Sequence, residues 1–122
     1  MIVLLQLYLS MIECWHDLHV IKGSDKSEHY HNSKYHKFDA LLWFSIYTWM
    51  AVEHNDPVYI ITGCIIRLFM LQVVLNKLRD LPITYLGGGF IDKFCLRWFG
   101  EVGTLWLKSV LFILTFLYEI IK

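Results

Sequence analysis

The chain has 122 residues, room for one domain. Hydrophobic residues make up 57% and aromatics 16%, both high for a soluble protein, and the mean hydropathy is +0.47. Eleven basic and eleven acidic residues cancel, so no basic face argues for a nucleic-acid partner, and two prolines and seven glycines argue against disorder.

A membrane-spanning helix takes about 20 apolar residues and tolerates about 17 to 25. Residues 1–21 are the first candidate; they start apolar and then carry Glu13, His16, Asp17 and His19. Residues 1–9 hold no Lys or Arg, and no small-x-small site follows, so we expect no cleaved signal. Residues 38–52 form a second, shorter candidate rich in Trp and Tyr. Residues 57–76 form the third, with Arg67 in the middle of an almost wholly apolar run. Pro57 suits the first helical turn and Asp56 suits the N-cap before it. Residues 102–121 form the fourth. Before them, apolar positions 90, 91, 94, 95, 98 and 99 have helical spacing, which predicts a short amphipathic helix over 90–99 in the membrane interface. The expected fold class is therefore all-α, an integral membrane bundle of about four transmembrane helices plus that interfacial helix, in a single domain over 1–122.

The connections give an orientation. Lys22, Lys26, Lys34 and Lys37 fall in the first, and Lys77, Arg79, Lys93 and Arg97 in the third. The tight second link holds only Glu53 and Asp56 as charges, with His54 between them as a turn cap. Both basic connections lie on one side of a four-span bundle, and the positive-inside rule makes that side the cytoplasm, with both termini outside. A multi-pass protein of a bacterial inner membrane is the expectation. Gly87, Gly88 and Gly89 read as a hinge, since no Gly-Lys-Ser/Thr follows to make a phosphate loop. Cys14, Cys64 and Cys95 are odd in number and widely spaced, so they suggest buried thiols and neither a disulfide framework nor a zinc motif.

Charge inside hydrocarbon is costly and marks a function or a buried pair. At about 1.5 Å of rise per residue, Glu13 lies about 18 Å along the first helix and Arg67 about 15 Å along the third, so the two are expected to pair. His16 and Asp17 lie about one turn deeper than Glu13, at the level where His36 and Asp39 open the second helix. Two imidazoles and two carboxylates on facing helices are a candidate site for a divalent metal such as Zn, Mn or Fe, though the spacing matches no established metal motif. His29 and His31, beside Tyr30 and Tyr35, read as solvated or headgroup-facing. On the fourth helix, Glu101, Thr104, Lys108, Thr115 and Glu119 fall on one stripe, which should face inward.

Leu81-Pro82-Ile83-Thr84-Tyr85-Leu86-Gly87, followed by Ile91-Asp92-Lys93-Phe94, resembles a segment of small uncharacterised membrane proteins of bacteria and their phages. The resemblance implies a polytopic membrane protein and no particular activity. Three functional classes are open to such a chain. It could be an accessory or oligomer-forming membrane component, partnered by the lipid bilayer, a second copy or a larger membrane complex. It could be a membrane-embedded hydrolase using His16, Asp17, His36 and Asp39 as metal ligands. It could be a small ion or proton transporter using Arg67, Glu13 and the polar stripe of the fourth helix.

Overall fold

A computed structural model describes residues 2–23, 33–86 and 90–122, and side chains except those of 20–23 and 33–38. The described residues form helices and turns, with no strand among them. Helix α1 is Ile2–Gly23, α2 is Ser33–Glu53 and α3 is Val58–Met70. A π-helical turn, Leu71–Leu75, and a last α-helical turn, α4 (Asn76–Leu78), continue α3 without a break. Helix α5, Phe90–Ile121, bends at Gly100, whose φ of 69° and ψ of 179° lie in a region open to glycine and closed to residues with a Cβ. The expected interfacial helix over 90–99 is thus the first arm of α5, joined to the long arm at that bend.

The helices are longer than their apolar centres. The expected second helix, 38–52, instead starts at Ser33 and ends at Glu53. Residues 33–37 hold neither Gly nor Pro, so nothing there breaks a helix, and hydropathy marks only the apolar part. Two ends are closed by the same device. After α2, Asn55 adopts a left-handed φ of 50°, Asp56 N–H donates to the Ala51 carbonyl at 2.9 Å, and Asn55 N–H donates to Val52 at 3.2 Å. After α4, Asp80 has φ 56°, Leu81 N–H donates to Asn76 at 2.9 Å, and Asp80 N–H donates to Lys77 at 3.2 Å. Both are Schellman closures in which Asn or Asp takes the usual glycine position, and Pro82 bars any continuation of the second.

Helix α3 is the centre of the bundle and packs against α1, α2 and α5. One apolar cluster joins Val3, Cys14 and Leu18 of α1 to Ile66, Met70 and Leu75, extended by Phe69 stacked on Phe112 of α5 at 4.2 Å between ring centres. Another joins Trp43, Tyr47 and Met50 of α2 to Cys64. Gly63 lets α2 and α3 approach: a methyl group there would lie 2.5 Å from Tyr47 Cγ. Of the four long helices, the two running Val58–Leu78 and Phe90–Ile121 are long and apolar enough to cross a membrane. Helices α1 and α2, with 22 and 21 residues, are as long as Val58–Leu78 but are not apolar enough over a whole span to join them.

Candidate functional site

Polarity in this bundle runs from inside to outside. On α1, Gln6, Ser10, Glu13 and Asp17 are buried, while Leu4, Tyr8, Met11 and Trp15 of the same helix are exposed. The buried set is spaced four, three and four residues apart, so it forms one face directed at α3 and α2.

At the centre of that face lies a three-helix ionic group. Arg67 Nη2 of α3 sits 2.7 Å from Glu13 Oε1 of α1 and 2.8 Å from Asp39 Oδ2 of α2. Arg67 Nε also donates to both Glu13 oxygens, at 2.8 and 3.0 Å. The side chains of Glu13, Asp39 and Arg67 are 0%, 12% and 18% exposed, so all three are largely withdrawn from solvent. The planar guanidinium suits this role because its fork can hold one carboxylate on two nitrogens and reach another. Asp17 lies one turn beyond Glu13, and carboxylate oxygens of Glu13, Asp17 and Asp39 all fall within 4.8 Å of one another. His16 Nδ1 lies 3.5 Å from Asp17 Oδ1, with its own side chain 62% exposed. A side cavity of about 490 Å³, walled by Trp43, Phe44, Cys64 and Leu68, reaches both Arg67 and Tyr47.

Further along α1, Gln6 Nε2 donates to the Tyr59 carbonyl at 2.7 Å, and the Thr62 hydroxyl donates to Gln6 Oε1 at 2.8 Å. Between that pair and the ionic group lie the hydroxyls of Ser10 and Tyr47. They are buried side by side. At the end of the bundle where α1 begins, Glu119 of α5 accepts from Ile2 N–H at 3.0 Å and from the Tyr59 hydroxyl at 3.4 Å.

A second ionic group closes that same end from outside. Asp56 Oδ1 accepts from Val58 N–H at 3.0 Å, an N-terminal cap for α3. Its Oδ2 accepts from Lys122 Nζ at 2.6 Å and from the Tyr118 hydroxyl at 2.7 Å. Hydrogen bonds from Lys122, then Tyr118, hold the Asp56 carboxyl down to about 2, and the same carboxylate raises the Lys122 ammonium above its ordinary value. Lys122 Nζ also lies 4.3 Å from the centre of the Tyr59 ring.

Two of the four residues proposed as metal ligands, Asp17 and Asp39, come together. They meet beside Glu13, but Asp39 is bound to Arg67 and His16 points to the exposed side. The His36 side chain, His29, His31 and the glycines 87–89 lie outside the described residues. The expected inward stripe of α5 is buried at Thr104, Lys108 and Thr115 but not at Glu101, which is exposed. Glu101 directly follows the Gly100 bend, where the helix turns away. Thr104 and Thr115 donate to the carbonyls of Gly100 and Phe112 in their own helix, at 2.6 and 2.7 Å, so they ask nothing of a partner.

Gln6, Ser10, Tyr47 and Thr62 were not singled out by sequence, and Asp39 was assigned to a metal, not to Arg67. The signal for the first two was present in the four-three-four spacing with Glu13 and Asp17. Comparison with protein-family models, with curated proteins and with solved structures finds no match, so the chain's own geometry is the basis for assigning it a role.

Proposed function

We propose that this chain is a multi-pass integral membrane protein, a four-helix bundle that serves a bacterial inner membrane as an accessory or oligomer-forming component. The observation that carries the reading is its inverted polarity: carboxylates, a guanidinium and amides inside, and Leu, Phe and Trp side chains outside. In water such an exterior would be a severe aggregation hazard, whereas in lipid it is the solvated surface. Polar groups on the exterior behave accordingly. Ser45 and Thr48 of α2 donate to the Leu41 and Phe44 carbonyls of their own helix, both at 2.8 Å, which removes their need for water. Trp15, Trp49, Trp98 and Trp106 are all exposed, available to the interfacial belts.

In this reading α1 and α2 cross the bilayer despite their polar groups because Glu13, Asp17 and Asp39 face the bundle and not the lipid. The large aromatic and branched side chains left outside favour association by van der Waals packing, with a second copy or a larger complex as partner. Single-cysteine labelling tests the reading. His54→Cys, just before the helix Val58–Leu78, and Lys77→Cys, in its last turn, are both at exposed positions. We expect His54→Cys to label from outside intact cells and Lys77→Cys only after the cytoplasmic side is opened. Labelling of both from one side would remove that helix as a span. Release of the wild-type protein by carbonate would remove the integral reading altogether.

A further inference from the structure

The side cavity is walled by three elements. Helix α2 contributes the rings of Trp43, Phe44 and Tyr47, α3 contributes Cys64 and Arg67, and the first arm of α5 contributes Ile91. Phe44 also lies on the exterior of the bundle, as does Leu41 of the same wall, so the cavity opens sideways onto the surface that lipid would cover. We propose that this cavity is a binding site for a lipid-soluble quinone, whose ring carbonyl accepts a hydrogen bond from Arg67. The proposal rests on the bilayer-spanning reading above and gives the accessory component a ligand.

Charge selects an uncharged acceptor. Of the three ionic side chains, Arg67 is the one in the cavity wall. Its bonds to Glu13 and Asp39 run through Nε and Nη2, and Nη1 has no partner among the described residues. Two N–H groups are therefore left to donate to an occupant. A cation in the cavity would meet the guanidinium and neither carboxylate. An anion would have to give up its hydration. It would also bring a further negative charge to a group in which two carboxylates already share one guanidinium. A carbonyl oxygen accepts the same hydrogen bond and brings no charge.

Depth and shape narrow the carbonyl to a quinone. Arg67 lies about 14 Å from the Val58 end of its helix and about 17 Å from the Leu78 end, the middle of a hydrocarbon layer about 30 Å thick. The ester carbonyls of a glycerolipid are held by their headgroup at the edge of that layer, about 15 Å away. A quinone has no such anchor, because its head is neutral and dissolves in hydrocarbon. The head is also a flat ring, and flat rings pack favourably, offset or edge-on, against aromatic side chains such as those of this wall. A benzene molecule fits a cavity of about 150 Å³. The volume here, about 490 Å³, leaves room for ring substituents and the start of a tail.

The test uses the whole protein in vesicles of phosphatidylethanolamine and phosphatidylglycerol. Resistance of the vesicle-bound protein to carbonate is measured first; if it is stripped off, the membrane reading fails, and the quinone site with it. Trp15, Trp49, Trp98 and Trp106 are exposed, so replacing them with Phe leaves Trp43 as a fluorescent reporter in the cavity wall. A second chain that keeps Trp106 alone reports quinone merely dissolved in the bilayer. For integrated protein we expect decylubiquinone to quench Trp43 saturably, and Trp106 only in proportion to the quinone added. Decylbenzene carries the same tail on a ring without carbonyls. It should need at least about ten times the mole fraction in lipid to displace the quinone, the scale of one hydrogen bond from a charged donor. Palmitate, an anion, should displace it no better. Ala40→Phe and Cys64→Phe each put a ring into the void, and each should raise the half-quenching mole fraction by about tenfold. Quenching of Trp43 that follows Trp106 at every quinone level would overturn the site while leaving the bundle intact. Displacement by decylbenzene or palmitate at the quinone's own mole fraction would overturn the quinone assignment, in favour of an acyl chain or an anionic head.

Discussion

The Glu13–Arg67–Asp39 group and the Asp56–Lys122 group use the same chemistry at different depths. The first ties α1, α2 and α3 together and is nearly closed to solvent. The second ties the start of α3 to the end of α5, with the Lys122 side chain 41% exposed. Depth changes what each can do. A buried ion pair is poor evidence of net stabilisation, because desolvation offsets the attraction, yet losing one partner strands a charge. An exposed pair is screened and its members can be rehydrated, so it trims the end of the bundle without committing the fold.

The widest gap between the two should appear on removing the cation. Arg67→Ala leaves Glu13 and Asp39 facing each other without a counter-charge, and we expect it to cost about 3–5 kcal/mol. Thermal unfolding in detergent reads this directly. Arg67→Lys should recover only part of it, because an ammonium cannot bond Glu13 on two nitrogens while also reaching Asp39. An unchanged melting temperature in Arg67→Ala would mean that the ionic group does not hold the helices.

A smaller effect separates the two groups through packing. Gly63 lies one turn from Arg67, under the Tyr47 ring. Gly63→Ala must push that ring aside, with an overpacking cost of about 1–3 kcal/mol. The displacement should disturb the buried group and leave the Asp56 cap unchanged. Cysteine cross-linking between α2 and α3 should weaken, while cross-linking between residues near Asp56 and Lys122 should not. Equal weakening at both ends would show the bundle responding as one rigid unit.

How far the sequence revealed this arrangement follows from which geometry is local. The Glu13–Arg67 proximity is legible because depth along a helix follows from counting residues, and both helices start near the same end. Asp39 defeats that counting: apolarity placed it at the start of a helix, but α2 begins six residues earlier at Ser33. Tyr47 of α2 packs on Gly63, a pairing between distant positions that no periodicity encodes. The π turn at Leu71–Leu75 is equally hidden, for its residues are ordinary helix formers. It follows Met70, whose carbonyl accepts from the Cys14 thiol at 3.5 Å, and it precedes the turn in which Asn76 Nδ2 donates to the Tyr85 carbonyl at 2.8 Å. Glu101 shows the reverse failure: spacing puts it on one stripe with Thr104, Lys108 and Thr115, which are buried, but it follows the Gly100 bend and is exposed.

The smallest expected effect belongs to the outer group and has a defined pH window. Asp56 is held at about 2, below its ordinary value of 3.8. A carboxyl depressed in the folded state binds protons less readily there than in the unfolded chain, so acid favours unfolding. Its contribution is fully present above pH 3.8 and is lost as the pH falls through about 2. Asp56→Asn removes the charge while keeping an oxygen that can accept from Val58 N–H. The variant should therefore resemble wild type at the acid end of this window and melt slightly lower above it. Salt should shrink the difference, because Asp56 and Lys122 meet at a solvated edge. If Asp56→Asn instead lowers the melting temperature as much as Arg67→Ala, and salt leaves the loss intact, the outer group is as shielded as the inner one. The contrast in depth would then have to be abandoned.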